Sequence, residues 1–171
     1  MEQAAVLADF EAARGEWEAA FAKVPDEALG YLKAGDDYAL GGLQVHVNWV
    51  LKHYSRVLEG ILARGFERVD PQDRPGDAET AGRRAKTGLT AGERRKALSE
   101  MARRHSAVVS AVSRLPAEGW SRKAPVVYSQ GQDPFPTSAE DIVGWLREHY
   151  REHVEQSAQL VSDWNEAGRP A

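Results

Sequence analysis

The chain has 171 residues, of which 42% are hydrophobic and 28% charged, with a net charge of −4. That is enough for one domain with a proper core, and it is not the profile of a disordered chain. The acidic balance argues against the basic footprint of a nucleic-acid binder. The absence of cysteine excludes thiolate catalysis, disulfides and zinc–thiolate sites, though not a thiol borrowed from the cell.

Met1–Val6 lacks the basic region and apolar stretch of a secretory signal, and no apolar run approaches the roughly 20 residues a membrane helix needs. The expectation is a single domain over 1–171, cytoplasmic, with neither membrane nor nucleic acid as partner.

The first segment, Glu2 to about Val24, repeats Val6, Phe10, Ala13, Trp17, Phe21 and Val24 at helical spacing, and Pro25 stops it. Pro25–Lys33 is expected to add a short helix with Leu29 and Leu32 tucked down. A second helix runs from about Tyr38 to Arg64 on the stripe Leu43, Val47, Val50, Tyr54, Val57 and Ile61, with His46 and His53 at its edge. Gly41-Gly42 either weakens its first turn or lets another backbone come close. Gly65 is a plausible stop.

Phe66–Gly88 is polar and rich in Pro, Gly and charge, and reads as a long surface connection. A third helix, about Thr90 to Leu115, starts on the capping box Thr90–Glu93 and carries Leu98, Met101, His105, Val108, Val109 and Val112. Its basic residues Arg94, Arg95, Lys96, Arg103 and Arg104 are expected on solvated faces.

Pro116–Pro136 is irregular. Ala124–Tyr128 favours an edge strand at best, and the connection is expected to fold over one end of the bundle. Thr137–Glu140 reads as a second capping box, launching a fourth helix through Trp164 on Ile142, Leu146, His149, His153, Ser157, Leu160 and Trp164. Four one-sided helices with few strand signals predict an all-α four-helix bundle.

The centre of this pattern is His149-Tyr150-Arg151-Glu152-His153. Two histidines four apart share one helix face, and both fall on the buried stripe, where an unpaired imidazole costs free energy. A metal ion is one way to satisfy them. His46, His53 and His105, on the other two histidine-bearing helices, are candidates to complete such a site. Neutral imidazole suits zinc, nickel, copper or iron, so the residues alone do not choose the ion. Asp141 and Glu152 are sequence-level candidates to hold the outer ring nitrogens. Tyr38, Trp49, Tyr128 and Trp145 are expected to pack rather than to line a pocket. The segment also fits HxxEH with Glu152 as a base, but only eighteen residues follow His153, too few for the further ligand those peptidases need.

Trp17, Leu43-Gln44-Val45-His46-Val47 and Trp145–His153 together resemble the DinB superfamily, over nearly the whole chain from Val6 to Trp164. The resemblance implies a four-helix bundle of up-down-down-up topology. It also implies a divalent metal held by one histidine of the second helix and an HxxxH pair of the fourth, which here are His46, His149 and His153. Zinc or nickel leads as the expected ion, with iron or manganese open.

Relatives use small thiols such as mycothiol, bacillithiol or glutathione. A metal-dependent thiol transferase or hydrolase acting on a small-molecule substrate, in a homodimer, is therefore the implied activity. The alternatives are a non-catalytic metal- or ligand-binding stress protein, and a helical dimerisation or interaction domain.

Overall fold

The computed structural model describes residues 2–168. Its elements are α1 (Gln3–Ala22), a 3-10 turn (Asp26–Ala28), α2 (Leu40–Ala63), α3 (Asp77–Thr87), α4 (Ala91–Val112), α5 (Ala117–Ser121), β1 (Ala124–Val126), β2 (Phe135–Thr137) and α6 (Ala139–Ala167). The fold is all-α apart from the two-stranded antiparallel ribbon β1–β2. The long helices are α1, α2, α4 and α6. α1 packs along α6 and α2 along α4, and α2 also meets α6 and α3.

Each helix buries the stripe its periodicity announces. Phe10, Ala13, Trp17 and Phe21 of α1, Leu43, Val47 and Ile61 of α2, Met101 and Val108 of α4, and Ile142, Leu146 and Leu160 of α6 form one core. α4 starts on the capping box between Thr90 and Glu93. That of α6 is formed by Ser138 and Asp141, one residue later than expected. The shift follows because the ribbon claims Thr137, which is fully buried and pairs with Ala124.

Three other expectations change. Residues 66–88 are not all connection: Asp77–Thr87 forms α3, with acidic residues in its first turn and basic ones in its last, matching the helix dipole. Residues 25–33 give only a single 3-10 turn, which buries Leu29 but leaves Leu32 40% exposed. Arg94 is not solvated. Its guanidinium donates to the carbonyls of Phe21 and Val24 and to Asp26, clasping the end of α1 to α4.

The connection after α5 folds onto the bundle as expected. Val69 N–H donates to Pro125 O at 2.9 Å and Val127 N–H to Val69 O at 2.8 Å, so the segment after α2 is stitched beside β1.

The glycine pair opening α2 is a site of close approach. A Cβ on Gly41 would stand 2.6 Å from Leu29 O, and one on Gly42 would overlap the Ala85 carbonyl of α3. Gly42→Ala is therefore expected to destabilise by about 3 kcal/mol or more, because backbone, not a side chain, must move. Gly15, inside α1 with open space around it, is the control. Gly15→Ala should stabilise by roughly 0.5–1 kcal/mol through helix propensity. Urea unfolding of both variants reads the two signs.

Candidate metal centre

α2 and α6 bring His46, His149 and His153 together. His149 Nε2 lies 3.0 Å from His46 Nε2 and 3.0 Å from His153 Nε2, and one ligand atom from each of the three falls within 4.8 Å of the other two. His153 is buried, and His46 and His149 are half-buried. His153 Nδ1–H donates to Gln156 Oε1 at 2.8 Å, which leaves the Nε2 lone pair pointing into the cluster.

His149 Nε2 has one in-plane position, filled by either a hydrogen or a lone pair, so it cannot make a good hydrogen bond to both neighbours at once. A cation between them removes that conflict. Two imidazoles on one ion at about 2.1 Å stand about 3.0–3.4 Å apart for octahedral or tetrahedral angles, and both contacts of His149 have this spacing. The three-histidine cluster therefore fits a divalent metal.

The surrounding shell is aromatic. Tyr38 lies over His46 with ring centroids 4.5 Å apart, Trp49 stacks at 6.3 Å on the same imidazole, and Trp17 meets the edge of His153 at 6.2 Å. Burial, with the His153 charge second, brings His46 down to about 4, and burial with both neighbouring imidazoles brings His149 down to about 3. Burial also lowers His153, against the pull of Gln156 and Glu152. Near neutral pH all three rings are unprotonated, the form a metal requires.

A cavity of about 370 Å³ opens on this face, lined by His46, Trp49, His53, Tyr54, Trp145 and His149 among others. Trp49, His53 and Tyr128 continue into a neighbouring groove of about 850 Å³. Trp49, Trp145 and Tyr128 thus line open space, against the expectation that they only pack. Tyr38 packs, as expected.

The remaining histidines lie elsewhere. His105 is fully buried between α1, α4 and α6, stacked on Phe10 at 4.0 Å, donating from Nε2 to Glu11 at 3.0 Å and accepting at Nδ1 from Tyr150 O–H at 3.1 Å. Burial takes it down to about 4, against the opposing pull of Glu11. Tyr150, absent from the α6 stripe read from sequence, is buried to meet it. His53 pairs with Asp73.

Neither expected carboxylate reaches an outer ring nitrogen. Asp141 is occupied by the Ser138 cap and by Lys123, and Glu152 is exposed on the cavity rim. Gln156 does the work instead. Its spacing of three residues from His153 was the available signal.

A buried polar chain supports the site from behind. Trp17 Nε1–H donates to Gln44 Oε1 at 2.8 Å, Gln44 Nε2 to Asn48 Oδ1 at 2.9 Å, and Asn48 Nδ2 to Ala97 O at 2.9 Å. It ties α1, α2 and α4 together two residues either side of His46.

The sequence model of the DinB superfamily matches residues 9–157, and the chain belongs to that superfamily. No curated protein matches it.

The depressed histidines set a pH dependence for the metal-free protein. The unfolded chain takes up protons below about pH 6.5 while the native cluster does not, so stability is complete above that point and falls as pH drops toward 4. In chelator, unfolding between about pH 7 and pH 5 should show a loss on the order of 1 kcal/mol per buried histidine. His149→Gln should flatten the slope.

Proposed function

We propose that the protein is a divalent-metal-dependent enzyme of the DinB superfamily, with His46, His149 and His153 as the metal ligands, zinc or nickel as the ion, and a water or a low-molecular-weight thiol as the group activated. The observation carrying this reading is that the three nitrogens converge and that two of their rings, His46 and His149, border a 370 Å³ cavity instead of a sealed core. Three protein ligands and an open side are the pattern of a catalytic rather than a structural site. A divalent ion held there lowers the pKa of a bound water or thiol and polarises a carbonyl.

The chain's own residues do the rest. Gln156 holds His153 in the tautomer whose Nε2 faces the cluster. Tyr38 and Trp49 clamp the His46 ring. Trp145 and Tyr54, 5.6 Å apart, form an apolar wall that keeps bulk water from the reacting group. The cavity is within the range of small-molecule sites. With no cysteine in the chain, any thiol chemistry draws its sulfur from a diffusible molecule.

Metal content of untagged protein tests the reading. The wild type should carry about one ion per chain. His46→Ala and His149→Ala should lose it and His53→Ala keep it, while Gln156→Ala should retain the ion with roughly 10–100-fold weaker affinity. A wild type that binds no zinc or nickel after reconstitution would overturn the proposal.

A further inference from the structure

His53 is outside the three-histidine cluster but inside the cavity. Its Nδ1 makes a short hydrogen bond to Asp73 Oδ2. The carboxylate only accepts, so Nδ1 carries the hydrogen and the neutral ring keeps its lone pair on Nε2. Among the described residues, Nε2 has no hydrogen-bond partner.

The ring is clamped in place: Trp49 stacks at 5.7 Å, Tyr54 meets it edge-on at 4.9 Å, and Tyr128 lies tilted at 5.9 Å. It lines both the 370 Å³ cavity and the 850 Å³ groove, as Trp49 does. Trp49 separates it from His46 and stacks on both rings.

The charged groups around the pair are Arg56, 3.8 Å from the other oxygen of Asp73 and 3.6 Å from Asp77, then Glu148 and Glu152 across the cavity, and Arg68, Arg74 and Asp70 in the groove. Arg56 sets a positive charge beside the far oxygen of Asp73. The two glutamates leave the cavity side of the ring without a competing cation.

We infer that His53, oriented by Asp73, is the acid–base residue of this cavity: it takes the proton from the thiol or water that enters beside the three-histidine cluster. This rests on the metal-dependent reading above. The S–H or O–H bond breaks with its electron pair left on sulfur or oxygen. The proton bonds to Nε2, and the imidazolium is offset by the Asp73 carboxylate through Nδ1–H. The same proton is available for return to the product. A half-buried pair that merely pinned residues 70–76 to α2 would not need a ring with a bare nitrogen lining two neighbouring cavities. Asp73 lies in a connection and His53 on a rigid helix, a common division between adaptable loop and fixed scaffold.

A proton inventory tests the assignment on full-length protein loaded with zinc, with 2-mercaptoethanol as the thiol. Titration calorimetry in two buffers of different ionisation enthalpy counts protons released per thiol bound, across pH values at which the free thiol keeps its proton. The wild type should release clearly less than one proton, because His53 retains it, and His53→Gln should release about one. Asp73→Asn, which keeps the ring and removes its counter-charge, should move the count toward one. It also decides the matter if His53→Gln fails to hold zinc.

A full proton released by the wild type and the variants alike would overturn the acid–base role while leaving the metal reading intact. A protein that binds neither zinc nor nickel would overturn both, and bound metal that takes no thiol would overturn the acid–base role toward a thiol while leaving the metal reading intact.

Discussion

Three imidazole nitrogens 3.0 Å apart along two contacts repel one another unless a proton or a cation stands between them, and much of the bundle is arranged around holding them there. The helix repeat alone stacks His149 under His153. Bringing His46 up to the pair requires α2 to lie against α6 at a set depth and rotation. Burial then strips the rings of protons near neutrality. The fold thus keeps a cluster that is awkward when empty and well matched to an ion, the usual relation between local strain and a binding site.

The depth of α2 is set from the opposite side. Trp17, Gln44, Asn48 and the Ala97 carbonyl form a hydrogen-bonded line through α1, α2 and α4, and each donor in it would be costly if left unpaired. Rotating α2 would break this line before it moved His46 far. At the N-terminal end of the same helix, Gly41 and Gly42 let Leu29 and the α3 backbone approach to contact, blocking translation along the axis. Arg94 and the Arg151–Asp9–Glu16 ion pairs tie α1 to α4 and α6, so the frame around α2 has little freedom of its own.

The division between what sequence made legible and what it hid follows from range. Helical stripes, the Thr90–Glu93 cap and the His149/His153 face are local periodicities, and each is found as read. The close approach at Gly41-Gly42 was one of two options, and only the α3 backbone decides it. α3 was hidden because its stripe, Ala78, Ala81 and Ala85, is made of small residues set among charges and glycine, a weak signal beside Pro75, Gly76 and Gly82. Its helical state rests on dipole-matched charges and on packing against α2.

Gln44 and Asn48 were missed for the opposite reason. Polar residues inside an apolar helix face look like surface until a Trp N–H and a backbone carbonyl are known to meet them. Gln156 is intermediate: its distance from His153 is local, but choosing it over Asp141 and Glu152 needed the rotamers. The role of His53 is less accessible still, because Asp73 comes from a connection with no periodic pattern.

The seven-residue interval between His46 and His53 has a consequence for chemistry. Seven residues advance about 10 Å along a helix and return nearly to the same face. One rigid element therefore carries both a ring of the metal cluster and a ring paired to a carboxylate, with Trp49 stacked between them. Their separation cannot change unless α2 bends. All three residues line one cavity, and Trp49 and His53 also line the groove beside it. Arg68, Arg74 and Tyr128 line that groove, so its charged and aromatic groups stand apart from the three-histidine cluster on the far side of His53.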